Sequence, residues 1–81
     1  MIRVEVYGKR DCCLCDDVKA ALLKVRRDIP FDLREIDIES TPDLYATYAE
    51  RIPLVLVNGR IAFKFRVDEA TLRRHLERER E

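Results

Sequence analysis

Eighty-one residues leave room for one small domain, which buries roughly 60–65% of the surface its unfolded chain exposes. Sixteen basic and sixteen acidic side chains cancel, which excludes the basic excess of a nucleic-acid binder and the net charge of an acidic tail. No apolar run approaches the roughly 20 residues of a membrane span, and the opening MIRVEVYGKR lacks the apolar stretch of a signal peptide, so a cytoplasmic chain is expected.

The chain opens on a strand: Ile2, Val4 and Val6 alternate with Arg3 and Glu5, one face in and one face out. A polar loop over residues 8–11 leads into a helix whose Val18, Ala21, Leu22 and Val25 recur at the spacing of one buried stripe. Pro30 ends it. FDLREIDIE reads as a second strand, with its alternation broken between Leu33 and Ile36. Ser40 or Thr41 caps a short helix that has Pro42 in its first turn and Asp43 near its positive end. PLVLV is a continuous apolar run, fit for a central strand covered on both faces. Asn58-Gly59 suits a type I′ hairpin turn, since both residues tolerate positive φ. RIAFKF then resumes alternation, which puts Ile61, Phe63 and Phe65 on one face. Asp68 caps a last helix with Leu72 and Leu76 inward and a Glu69–Arg73 pair one turn apart. The order βαβαββα predicts an α/β fold over residues 1–81, a four-stranded mixed sheet with helices on both faces.

Three cysteines fall within four positions, Cys12, Cys13 and Cys15, at the start of the first helix. In a cytosolic chain, thiols so clustered point to catalysis or metal more than to a disulfide framework. With Cys12 at the N-cap, its sulfur faces unpaired backbone N–H groups of the first turn, and the helix dipole favours a thiolate. A lowered thiol pKa makes Cys12 the nucleophile. Cys15, one turn on and in line with Val18 and Leu22, is the sheltered resolving thiol. Lys9 and Arg10 favour the thiolate, while Asp11, Asp16 and Asp17 oppose it. Cys13 is a passenger, or an accessory thiol open to glutathionylation. Two plainer accounts compete: the cysteines are small packed hydrophobes, or they hold a metal. Zinc usually takes four ligands, His75 lies far along the chain from the three cysteines, and no metal site is assigned.

YGKRDCCLC after a first strand resembles the glutaredoxin active site, with Tyr7, Lys9, Cys12 and Cys15 in the family's positions. RIPLVLVNGR resembles the family's second signature, a cis-proline before the third strand followed by a tight hairpin. The resemblance covers nearly the whole chain and reaches closest to the small, uncharacterised bacterial glutaredoxin-like proteins. It implies a thioredoxin-like fold of glutaredoxin type and a cis Ile52–Pro53 bond facing the cysteines. It also implies a substrate site formed by Tyr7, Lys9, Ile52 and Pro53. Two departures stand out. Cys13 and Leu14 replace the family's Pro-Tyr between the cysteines. Phe63-Lys64 stands where the family has Gly-Gly after the fourth strand, and bulk there hinders approach of glutathione to the backbone.

The expected activity is thiol–disulfide exchange by a monomer without bound cofactor. Its substrate would be a disulfide-bearing protein or a low-molecular-weight thiol, and its reductant glutathione or a thioredoxin-reductase-like flavoenzyme. The alternative is a thioredoxin-fold binding or adaptor module with non-catalytic thiols. One trait concerns stability. The chain has no Gln, one Asn and twelve Arg against four Lys, a composition that suits heat adaptation. Thermal unfolding should therefore come above the roughly 45–65 °C at which mesophile domains cluster; a melting scan centred inside that range contradicts the expectation.

Overall fold

In the computed structural model, residues 2–10 and 13–80 are described, Cys13 and Arg80 by their backbone alone. The elements run β1 (Arg3–Gly8), α1 (Cys13–Arg26), β2 (Asp32–Asp37), α2 (Pro42–Tyr48), β3 (Leu54–Val57), β4 (Arg60–Lys64) and α3 (Glu69–Arg80). A 3₁₀ turn at Ile38–Ser40 joins β2 to α2. The strands form one mixed sheet in the order β2-β1-β3-β4. β1 is parallel to β2 and antiparallel to β3, and β3 is antiparallel to β4.

Alternation along β1 decides which face is packed. Val4 and Val6 join Val55 and Val57 across the sheet, and this face meets Val18, Leu22 and Val25 of α1 and Leu72 and Leu76 of α3. Val4, Leu22, Val25, Leu72 and Leu76 are fully buried. Each is worth about 1.5–3 kcal/mol relative to exposure, so this layer carries most of the driving force for folding. The opposite face holds Tyr7 and Leu54, which pair across β1 and β3, and here α2 approaches through Tyr48. Helices therefore lie on both faces, and β3 is buried at three of its four residues.

The ends of the elements follow local chemistry. The Thr41 hydroxyl accepts the Leu44 N–H (3.3 Å) and Pro42 starts α2. The Asp68 carboxylate accepts the Thr71 N–H (3.0 Å) and hydroxyl (2.8 Å) at the start of α3. Asn58 (φ 51°) and Gly59 (φ 84°) make the hairpin turn with both residues left-handed, as a type I′ turn requires. Asn58 does more than turn the chain. Its side-chain carbonyl accepts the Arg3 N–H (2.9 Å), its amide donates to Glu79 (2.9 Å), and its own N–H donates to the Arg3 carbonyl (2.7 Å).

Two expectations need correction. The second strand stops at Asp37, because the Asp37 carboxylate accepts the Glu39 N–H (2.9 Å) and starts the 3₁₀ turn instead. In β4 the alternation fails. Val55 pairs with Phe63 but Leu56 with Ile61, so Ala62 is an extra residue, a β-bulge. Ile61 is thrown to the α2 side and left exposed, while Phe63 turns to the core and meets His75 of α3 with ring centroids 6.0 Å apart. Phe65 does not continue the strand. It holds a left-handed φ of 67°, and the Arg66 N–H donates to the Lys64 carbonyl around it (2.7 Å). This is a γ-turn of the rarer, positive-φ hand, costly for a residue with a Cβ. Phe65→Gly should accordingly be more stable than Phe65→Ala by about 1–2 kcal/mol in urea unfolding; equal midpoints would show that the turn carries no strain.

Candidate functional site

The polar chemistry gathers where β1 ends. Packing of the α1 stripe against Val4 and Val6 sets the first turn of the helix over the carboxyl end of the strand, at Gly8. Cys15 lies in that first turn, half-buried rather than sheltered in the core. It shares the helix face of Val18 and Leu22, but it lies at the very end of the sheet, where β1 stops at Gly8 and β2 at Asp37, and is covered on one side only. The Cys15 sulfur rests on Gly8 itself. A Cβ placed on Gly8 would stand 2.9 Å from Sγ and 3.4 Å from the Cys15 Cβ.

A cleft of about 380 Å³ opens beside this contact, lined by Val6, Gly8, Cys15 and Ile36. That volume is within the range of small-molecule sites. Three cations (Lys9, Arg10, Lys19) and three anions (Asp16, Glu35, Asp37) also line it. Lys19 of α1 and Glu35 of β2 pair across it at 2.9 Å. The lining brings together two of the residues expected at the site, Cys15 and Lys9.

The other expected residues divide. Tyr7 precedes Gly8 in β1 and so faces the opposite side of the sheet. Its ring lies 4.6 Å from that of Tyr48, at 55°. Burial, then the neighbouring Tyr48 and Glu5, hold its hydroxyl pKa above the ordinary tyrosine value. The Ile52–Pro53 peptide bond is cis, and both residues are buried. Tyr7 pairs with Leu54, so the register carried one step further sets Pro53 alongside Gly8, at the thiol-bearing end of the sheet. The Pro53 carbonyl accepts the Phe65 N–H (2.7 Å), which ties the γ-turn to the same end. Ile52 stands just outside the ladder, which begins at Leu54. Cys12 lies outside the described residues, as does the expectation that it caps α1, and nothing is described of the Cys13 side chain.

The chain is matched over residues 3–77 by the model of the glutaredoxin-like domain family (DUF836). It belongs to that family. An uncharacterized protein of Mycobacterium tuberculosis is 31% identical over 81 residues, covering 94% of this chain and 84% of its own length. A glutaredoxin-like protein of Dictyostelium discoideum is 29% identical over 82 residues, covering 94% of this chain and 76% of its own. Among solved structures, a structural-genomics protein of X. campestris superposes with a TM-score of 0.77 at 26% identity, over 93% of this chain and 96% of its own. Chloroplastic thioredoxin z superposes with 0.79 at 12% identity, over 96% and 77%, a likeness of fold alone. The glutaredoxin-like chain is thus an α/β protein of thioredoxin-like fold, and among its described residues no helix is long and apolar enough to cross a membrane.

Sequence reasoning passed over Gly8 and Tyr48. Gly8 is one of only two glycines and sits at a strand end, a position that marks close approach of another group to the backbone. Tyr48 carried no such signal, because its ring meets Tyr7 only once β3 has brought α2 across the sheet. The raised Tyr7 pKa has a linked consequence. Folding favours the neutral phenol, so this contribution is complete below about pH 10 and is lost as pH rises through the folded value. Tyr7 should be a late-titrating tyrosine in tyrosinate absorbance, and Tyr7→Phe should remove that step and flatten the alkaline loss of stability. A titration in which all tyrosines ionise together near pH 10 contradicts this.

Proposed function

We propose that this glutaredoxin-like chain is a thiol–disulfide oxidoreductase. The observation that carries the reading is the Cys15 thiol, half-buried on Gly8 in the first turn of α1 and walling a cleft with Lys9. Family membership and the thioredoxin-like fold support it.

In the proposed cycle Cys12, which directly precedes α1 in sequence, acts as the thiolate that the amino end of a helix would favour. That thiolate attacks one sulfur of a substrate disulfide, forms a mixed disulfide and expels the other sulfur as a thiolate. Cys15 then gives up its proton and attacks the Cys12 sulfur. The substrate leaves as a second thiolate and a Cys12–Cys15 disulfide remains, two electrons having passed to the substrate. Lys9 offers a cation to a substrate carboxylate. The Ile52 backbone, off the ladder beside the cis-proline, offers an extended substrate a short strand to pair with. The substrate is a disulfide-bearing protein or a low-molecular-weight disulfide. The reductant is a thioredoxin-reductase-like flavoenzyme or glutathione. Phe63 and Lys64, expected to follow the fourth strand and hinder glutathione, lie inside β4; the residue past the strand is Phe65, whose exposed side chain next to Pro53 would crowd a glutathione backbone, which favours the former.

Cys15→Ser should leave the first attack intact and accumulate a mixed disulfide at Cys12, seen by intact mass after incubation with oxidised insulin. Cys12→Ser should reduce insulin no faster than buffer. Failure of Cys15→Ser to trap any partner, together with no insulin reduction by the native chain, would favour a binding module with non-catalytic thiols.

A further inference from the structure

Gly8 is not explained by its backbone. Its φ is not positive, since among the glycines only Gly59 holds a left-handed φ, and it continues the β1–β2 ladder opposite Asp37. Any residue could adopt that conformation, and most would suit a strand better. What a side chain would meet is the Cys15 sulfur, 2.9 Å from an added Cβ. Non-bonded carbon atoms settle at about 3.5–4.0 Å, and sulfur is larger than carbon. The Cys15 Cβ, at 3.4 Å, is close to ordinary contact, so the conflict falls on the sulfur. Relief therefore requires rotation of the thiol about χ1 or a lift of the first turn of α1, and either one moves the sulfur.

We propose that Gly8 is a positioning residue for Cys15: the space left by its missing side chain is the seat from which the Cys15 sulfur attacks the mixed disulfide at position 12. The inference rests on the exchange cycle proposed above and adds to it a residue that acts through Cys15. Displacement of a sulfur from a disulfide needs the attacking, central and leaving sulfurs in line, and misplacement by about 1 Å costs an aligned reaction about 10²-fold. A methyl at position 8 should thus leave the first attack, made by Cys12, nearly untouched and slow the second.

The test uses the full chain carrying Cys13→Ser, so that only Cys12 and Cys15 report, with one equivalent of dithiobis(nitrobenzoate) followed by stopped-flow absorbance. The dithiol and the reagent yield the protein disulfide, two thionitrobenzoate ions and two protons. The first ion marks mixed-disulfide formation and the second, first-order release marks attack by Cys15. Gly8→Ala should keep the first rate within about two-fold and slow the second at least about ten-fold. Unchanged rates for both steps overturn the positioning role and leave the exchange cycle standing. A parent chain whose second release rises with reagent concentration has no resolving attack, and the cycle and the role of Gly8 fall together. Should Gly8→Ala not fold, circular dichroism of Gly8→Ala with Cys15→Ala decides. A folded double variant locates the conflict at the Cys15 sulfur and supports the proposal, and an unfolded one overturns it.

Discussion

The seat of α1 on β1 is the contact from which the rest follows. Val18, Leu22 and Val25 bury themselves against the face that carries Val4 and Val6. Three such side chains contribute on the order of 5–9 kcal/mol, comparable with the whole net stability of a small domain. Sliding the helix by one residue would swing the stripe out of register, so its position is strongly specified. That position sets the first turn of α1 over the last residue of β1. The thiol-bearing end of the molecule therefore inherits its geometry from a packed layer with no buried polar or charged side chain among the described residues.

The two faces of the sheet are unequal, and the inequality arranges the site. The face under α1 and α3 holds the large apolar cluster. The other is approached by a seven-residue helix through one tyrosine pair. Gly8 and Tyr7 are neighbours in sequence but belong to different faces, so the cleft with Cys15 lies on one side and the Tyr7–Tyr48 pair on the other. Pro53 comes to the same end from β3, and its carbonyl holds the γ-turn at Phe65. The residues that the resemblance groups into one site thus approach the end of the sheet from both sides.

Where one element dictates its own form, the sequence was read correctly. Alternation gave β1, the apolar stripe gave α1, Thr41 and Asp68 capped their helices, and Asn58-Gly59 made its turn. The misreadings occur where two elements negotiate. Ile61, Phe63 and Phe65 alternate on paper, but the bulge at Ala62 lets Phe63 reach His75 and sends Ile61 outward. No local rule weighs that gain against a ladder bond. Cys15 keeps the helical spacing of the buried stripe, yet only the last residue of β1 lies under it, so it is half-buried and not enclosed. Spacing reports direction and not cover. The cis bond at Pro53 was available only through resemblance, since an isolated Ile-Pro reads as an ordinary strand opening.

Charge follows the same division between the two ends of α1. At its carboxyl end Arg73 of α3 reaches Asp28 (2.7 Å) and Glu69 (3.3 Å), and Lys24 of α1 reaches Glu69 (3.4 Å). One pair of this kind on a surface is worth about 0–1 kcal/mol, but members of a network share the cost of ordering their side chains, and the desolvation penalty shrinks on heating. The four residues tie α3 to the end of α1 that lies far from the thiol. At the amino end only Lys19–Glu35 spans helix and sheet, and among the cleft-lining residues it is the one ion pair found between described residues. Lys9, which has no ion-pair partner among the described residues, could under the proposed cycle answer a charged substrate without first breaking such a pair. An end knit together like the other would have to give up pairs to admit one. The layout therefore concentrates the cross-linking ion pairs away from the thiol end, an arrangement that the proposed exchange with an outside disulfide would require.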